Sequence, residues 1–277
     1  MERLEGAMAE LLKALFFGIV EGITEWLPIS STGHLILLNE FVTMDVSEKF
    51  FGMFEVVIQF GAILAVVMLY FKEIYPFSKK EPYFIKKDIF LMWLKIAFAC
   101  IPAVILELLF GDVLEEKFYN PFVIALALII FGVAFIWIEN RNKRAEPKVN
   151  SISEITFSMA FGIGMFQLLA AAFPGTSRSG ATILGGILLG ISRSVAAEFT
   201  FFLAIPVMFG ASLIKLLEFG FTFQGGEFGI LLVGMASAFF VSAVVIRFLM
   251  AYIKDHDFKI FGWYRIVLGI LVLIYFM

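Results

Sequence analysis

Residues 120–139 read NPFVIALALIIFGVAFIWIE, with no charge before Glu139, and that stretch decides the class of fold. A helix crosses the hydrocarbon of a bilayer with roughly 20 mostly apolar residues. The run lacks the alternation of a barrel strand, and lipid cannot satisfy an open sheet edge. Five more runs of this kind lie at about 50–71, 91–110, 196–217, 228–250 and 261–277. Composition points the same way: 61% of the 277 residues are apolar and 16% charged, too little charge to coat a soluble particle of this size. The expectation is an all-α integral membrane protein with six transmembrane helices, forming one transmembrane domain over residues 1–277.

The remaining composition excludes other classes. A net charge of −3 and the absence of a basic patch interleaved with aromatics argue against nucleic acid as a partner. Cys100 is the only cysteine, so neither an internal disulfide nor a cysteine metal cluster can form. Glu2, Glu5 and Glu10 stand where a cleavable signal peptide would be basic.

Two apolar regions are interrupted. About 8–40 is broken by Lys13, Glu21, Glu25, Pro28 and His34, and about 155–192 by Gln167, Pro174 and Arg178. Each reads as a short arm, a break rich in Pro, Gly, Ser and Thr, and a second arm: a re-entrant helix–loop–helix hairpin. Laying Pro28 on Pro174 places Gly18 on Gly164, Glu21 on Gln167, Ser30 on Thr176 and Ser31 on Ser177. Three clean runs follow each break, so residues 1–145 and 146–277 read as two halves. A hairpin that returns leaves the side unchanged and three spans reverse it, which makes the halves an inverted-topology repeat, an arrangement that gathers polar groups near the midplane.

Loop charge fits this plan. The connections at 72–90 (Lys72, Lys79, Lys80, Lys86, Lys87), 140–153 (Arg141, Lys143, Arg144, Lys148) and 251–259 (Lys254, Lys259) are basic, whereas 111–119 and 218–227 are nearly devoid of base. Basic loops stay cytoplasmic. Six spans and two re-entrant hairpins put all three basic loops on that side and both termini outside.

The first break reads Glu21-Gly-Ile-Thr-Glu25-Trp-Leu-Pro28-Ile-Ser30-Ser31-Thr32-Gly33-His34. Glu21 and Glu25 are four apart and share a helix face. They repel unless a divalent cation or a proton lies between them; as interfacial charges they would do nothing. A carboxylate in the bilayer costs about 2.5–3.5 kcal/mol on insertion scales and marks function by default. Ser31 with His34 offers an activated nucleophile, or His34 itself attacks. His256, among Lys254, Asp255 and Asp257, reads as a solvated loop residue.

The second break reads Pro174-Gly175-Thr176-Ser177-Arg178-Ser179-Gly180-Ala-Thr182. An arginine among glycines and hydroxyls, ahead of a helix start, is a phosphate clamp in composition; the alternative is a structural ion pair between Arg178 and Glu21 or Glu25. Ser30, Thr32, Gly33, Gly175, Thr176, Ser177, Ser179, Gly180 and Thr182 are further candidates for holding phosphate. Glu55, Gln59 and Gln167 read as supporting residues. Lys95, Glu107, Arg193, Glu198, Lys215 and Arg247 lie near span ends, where snorkelling accounts for them.

Both breaks, in this order and spacing, closely resemble those of the bacterial undecaprenyl-diphosphatase family, also described as bacitracin-resistance proteins. The resemblance implies hydrolysis of undecaprenyl diphosphate to undecaprenyl phosphate, recycling the lipid carrier of peptidoglycan synthesis. It also implies dependence on a divalent cation, bacitracin resistance, and a bacterial cytoplasmic-membrane location with the site facing outward. On this reading Glu21 and Glu25 hold Mg²⁺ or Ca²⁺, Arg178 neutralises the transferred phosphoryl, and the nucleophile is Ser31, His34 or a metal-activated water. Its partners are a polyprenyl diphosphate and membrane lipids; oligomeric state is not legible, a homodimer being allowed. A flippase or anion transporter using the same midplane groups is the alternative, and release of inorganic phosphate in detergent separates the two.

Overall fold

The computed structural model describes residues 2–143, 146–220 and 222–276; Arg144, one of the basic-loop residues, lies outside them. Among the described residues there are helices and isolated bridges but no strands. The helices are α1 (Glu2–Thr24), α2 (Ser31–Phe41), α3 (Glu48–Leu69), the single turn α4 (Phe71–Ile74), α5 (Lys87–Phe118), α6 (Pro121–Asn142), α7 (Phe157–Ala172), α8 (Arg178–Leu188), α9 (Arg193–Phe219), α10 (Glu227–Asp255) and α11 (Lys259–Phe276). Six of them, α3, α5, α6, α9, α10 and α11, are long and apolar enough to span a membrane, and they coincide with the six expected runs.

Two connections are shorter than the sequence suggests. Helix α5 continues to Phe118 because nothing between Gly111 and Phe118 stops it. The stop comes at Asn120, whose side chain accepts from the Val123 N–H to cap α6, with Pro121 in the first turn. Helix α10 likewise runs to Asp255, leaving 256–258 as the turn before α11.

The packing has a symmetry. Helix α6 lies on α11, α3 on α9, α1 on α10, and α7 on α5. Exchanging the helices of one half for those of the other (α1 with α7, α3 with α9, α5 with α10, α6 with α11) leaves these pairs unchanged, whereas the broad contact of α3 with α10 has only a slight counterpart in α5 with α9. Glycine makes the closest approaches reciprocal. A Cβ on Gly132 would sit 2.7 Å from the Gly262 carbonyl, and one on Gly262 would sit 2.7 Å from the Gly132 carbonyl. A Cβ on Gly18 would collide with the carbonyl of Gly234, and one on Gly164 with that of Ala99. In lipid, where apolar helices gain little by leaving their solvent, such small-residue contacts carry helix association.

Contacts at the bundle ends place the connections. After α2, Asp45 N–H donates to Glu10 Oε2 and Lys13 Nζ to the Thr43 carbonyl, so the pair α1–α2 folds back to the level of the third and fourth turns of α1. After α8, Asn142 Nδ2 donates to the Ile187 carbonyl and Lys148 N–H to that of Gly190, so α7–α8 ends beside the chain that led into it. Arg193 was expected to snorkel. Instead its guanidinium grips the fully buried Glu139 carboxylate, with Nε 2.9 Å from Oε1, and Glu139 also accepts from the Phe258 N–H. Lys95, also expected at the interface, is buried with Nζ on the Ser153 carbonyl. Both side chains found fixed partners far away in sequence, which composition near span ends does not reveal. These ties gather the ends of α6 and α10 and the starts of α5, α9 and α11 at one end of the bundle, the end carrying the basic connections.

Candidate active site

Each helix pair is interrupted by a break of five or six residues, and each break ends on a serine. Ser30 caps α2 at φ 76° and accepts from the Gly33 N–H; Ser177 caps α8 at φ 70° and accepts from the Gly180 N–H. A side chain at such a φ is strained by about 1–3 kcal/mol, and such residues cluster where the surroundings enforce a geometry. The caps correspond with an offset of 147, one residue more than the register of Pro28 on Pro174. Ser30 therefore matches Ser177, and Ser31 matches Arg178. The first break is one residue longer overall, but from proline to cap it is one residue shorter, and the slip falls there.

The breaks meet. Arg178 Nη2 donates to Glu25 Oε1 at 2.8 Å, Ser31 Oγ donates to Glu25 Oε2 at 2.7 Å, and Ser179 Oγ donates to the Glu25 carbonyl at 2.9 Å. Glu25 and Ser31 are buried, 7% and 8% exposed. One carboxylate thus joins the serine of the first break to the arginine of the second across 153 positions of sequence. Arg178 is steadied by the Thr200 carbonyl and lies 3.9 Å from Met208 Sδ. Thr182 Oγ1 donates back to the Arg178 carbonyl and accepts from Thr200 Oγ1, which ties the first turn of α8 to α9.

Glu21 lies one turn before Glu25, is 0% exposed, and neither carboxylate oxygen has a hydrogen-bond partner. Buried polar groups are normally satisfied, so these oxygens ask for an occupant. Gln167, the residue laid on Glu21 in the second half, is also buried with both amide atoms unpartnered, as are Trp26 Nε1 and Thr176 Oγ1. Among the described residues no group of three or more His, Cys, Asp or Glu side chains converges to hold a metal.

His34 is not the partner of Ser31. Its Nδ1 is held 2.7 Å from the Ser30 carbonyl, which can only accept, so Nδ1 carries the proton; Nε2 then accepts from the Tyr264 hydroxyl at 2.7 Å. The two rings are nearly parallel, 3° apart. These two bonds turn the imidazole toward α11 and leave Ser31 to Glu25. Several expected phosphate ligands are also engaged otherwise. The Gly33 and Gly180 N–H groups are taken by the cap serines. Gly175, at φ 90°, packs on the Ile124 carbonyl, and Thr182 is fully buried within the α8–α9 contact.

A cavity of about 560 Å³ opens at the end of the bundle away from the basic connections. Thr32 and Pro174 bring both breaks to its wall, Glu55 and Gln59 line it from α3, and Glu107 and Lys215 line it from α5 and α9. Glu107 and Lys215 therefore belong to this opening as well as to span ends. Two residues absent from the sequence motifs complete the surroundings: Tyr264, through His34, and Arg265, fully buried and hydrogen-bonded to carbonyls of both breaks. An arginine inside the apolar run 261–277 was the signal for the second.

Residues 14–271 match the family described as bacitracin resistance protein BacA. A relative from Desulfitobacterium hafniense named undecaprenyl-diphosphatase is 62% identical over 270 residues, covering 98% of this chain and 97% of its own. Undecaprenyl-diphosphatase 1 of Clostridium acetobutylicum is 60% identical over 97% of this chain and 98% of its own, and an Enterococcus faecalis protein named undecaprenyl-diphosphatase is 57% identical over 96% of each.

Proposed function

The chain belongs to the bacitracin resistance protein BacA family, and we infer that it is a membrane hydrolase that converts undecaprenyl diphosphate to undecaprenyl phosphate and inorganic phosphate. That activity regenerates the lipid carrier of cell-wall synthesis and accounts for bacitracin resistance. The observation that carries a catalytic reading is the 2.7 Å hydrogen bond from Ser31 to a carboxylate whose other oxygen is held by Arg178. A translocator needs groups that bind an anion; it has no need of a hydroxyl with a base already in place.

In our reading Ser31 Oγ attacks the terminal phosphorus as its proton passes to Glu25 Oε2. The new O–P bond forms as the bridging P–O bond breaks, and undecaprenyl phosphate leaves. Water then cleaves the phosphoserine, returning the Ser31 proton and releasing phosphate. Arg178 meets the charge on the phosphoryl oxygens, which is where positioned cationic donors contribute most, and Ser179, donating to the Glu25 carbonyl, holds the two breaks together beside it. His34, locked by Ser30 and Tyr264, orients the start of α2.

The carboxylates fit a hard divalent cation. Glu21 offers two buried oxygens without partners, and Glu25 lies a turn away. Mg²⁺ or Ca²⁺ held there by Glu21 and Glu25 would supply Lewis-acid charge neutralisation.

For topology, we propose that α1–α2 and α7–α8 are re-entrant hairpins of an inverted repeat. The folding back of each pair toward the side it came from and the exchange of helix pairs between the halves support this. The gathering of basic connections at one end supports a cytoplasmic assignment for that end. The cavity and both termini then face outward, and the prenyl tail stays in the bilayer of the bacterial cytoplasmic membrane.

The test is phosphate release from undecaprenyl diphosphate by purified protein in detergent, with Mg²⁺ or Ca²⁺ and with chelator. Cation-dependent release by wild type, lost in Ser31→Ala, is expected. A folded wild-type sample that releases none would remove the phosphatase reading and favour a translocator.

A further inference from the structure

Arg265 of α11 has no part in the reaction above, yet it is 0% exposed and its donors reach both breaks. Nη1 donates to the Pro28 carbonyl at 3.2 Å, and Nη2 to the carbonyls of Gly175 at 2.9 Å and Thr176 at 2.8 Å. A longer contact of 3.5 Å reaches the Ala127 carbonyl on α6, and the guanidinium lies 5.9 Å from the centre of the Phe131 ring. Among the described residues no carboxylate pairs with it. A buried charge has to be compensated, and here backbone carbonyls take Nη1 and Nη2 while Nε has no partner. Their places matter: Pro28 stands two residues before the cap Ser30, and Gly175 and Thr176 stand directly before the cap Ser177. One rigid fork therefore fixes the separation of the two caps, and with it that of the residues that follow them, Ser31 and Arg178. A lysine, with a single nitrogen, cannot span both breaks in this way.

We propose that Arg265 is a positioning residue for the hydrolysis: by clamping the carbonyls of Pro28, Gly175 and Thr176 it holds Ser31 and Arg178 in register without touching substrate. This rests on the phosphatase reading. The clamp acts on alignment more than on binding, since Arg178 remains to hold phosphate, and a misplacement of about 1 Å at a reacting centre costs about a hundredfold in rate.

The experiment compares Arg265→Lys with wild type in lipid nanodiscs, measuring phosphate release against undecaprenyl diphosphate concentration together with the melting transition. The expected result is a cooperative melt, kcat lower by about 10- to 100-fold, and KM changed by less than about threefold. Combined with Arg178→Lys, the loss should fall short of the product of the single losses, because both changes act on one alignment. Wild-type kcat in Arg265→Lys would overturn the proposal, as would a rise in KM at constant kcat or a fully multiplicative double variant. If Arg265→Lys does not fold, Gly180→Ala presses on the fork with its charge intact and Ser177→Gly in the same chain removes the other crowding atoms, since a Cβ at Gly180 would lie 3.3 Å from Nη1 and 3.2 Å from Ser177 Cβ and Oγ; Ser177→Gly alone is the reference. A kcat below that reference at unchanged KM supports the clamp and a kcat equal to it overturns it. A folded wild type that releases no phosphate would count against the phosphatase reading itself, a distinguishable failure.

Discussion

At the first break Ser30 caps α2 at φ 76° and is followed by Ser31, hydrogen-bonded to Glu25; at the second, Ser177 caps α8 at φ 70° and is followed by Arg178, paired with the same Glu25. The backbone device is shared: a left-handed serine, a glycine N–H three residues on, and a short helix running back. The chemistry is opposite. The first break carries carboxylates and a hydroxyl nucleophile, the second a cation and hydroxyl donors, and Glu21 has the neutral Gln167 laid on it. Two similar hairpins with identical charges would repel when brought together. Hairpins of unlike charge make a pair that assembles the site and that an entering diphosphate can reorganise.

The comparison can be broken most severely at its link. Arg178→Ala should lower kcat by about a thousandfold or more in phosphate-release assays, as expected for a cation on a transferring phosphoryl. Exchanging the partners, with Glu25→Arg and Arg178→Glu together, should restore a cooperative melt relative to either single change and still give no turnover, because the base would no longer face Ser31. Glu21→Gln, which makes the two halves alike, should cost about a hundredfold and leave residual turnover insensitive to chelator, while Gln167→Leu should cost less than about tenfold. Removing only the Tyr264 hydroxyl as Tyr264→Phe deletes one hydrogen bond to His34; the expected loss is about fivefold, the worth of about 1 kcal/mol. The shared device gives the smallest effect. Ser30→Ala and Ser177→Ala should each destabilise by about 1 kcal/mol in thermal melts, and the corresponding glycine substitutions by less, because glycine takes a φ near 70° without strain.

The fold was legible where physics is one-dimensional. A run such as 120–139 has one solution in lipid, and α6 spans Pro121–Asn142. The interruptions were legible because Pro28 and Pro174 stand among hydroxyls and glycines; Pro102 and Pro206, in unbroken apolar runs, stay inside α5 and α9, and Lys13 and Glu21 stay inside α1. Pairing in three dimensions was less so. The proline register misplaced the caps by one residue, since a loop absorbs an extra residue without leaving a mark in composition. Ser31 beside His34 in sequence suggested a dyad, whereas the i−4 carbonyl and Tyr264, 230 positions away, claim the imidazole. Arg193 and Lys95 looked like interfacial charges because Glu139 and Ser153, their partners, are remote in sequence. Arg265 is a single charge in an apolar run, and only the convergence of three carbonyls gives it meaning.

The claim that the first break supplies the nucleophile and the second the clamp is tested most directly by trapping the enzyme in mid-reaction. Acid quench of wild type turning over undecaprenyl diphosphate, followed by peptide mass spectrometry, should find a phosphoryl group on Ser31, absent from Ser31→Ala. Steady turnover with phosphate on His34, or with Ser31 never labelled while Ser31→Ala retains activity, would contradict it.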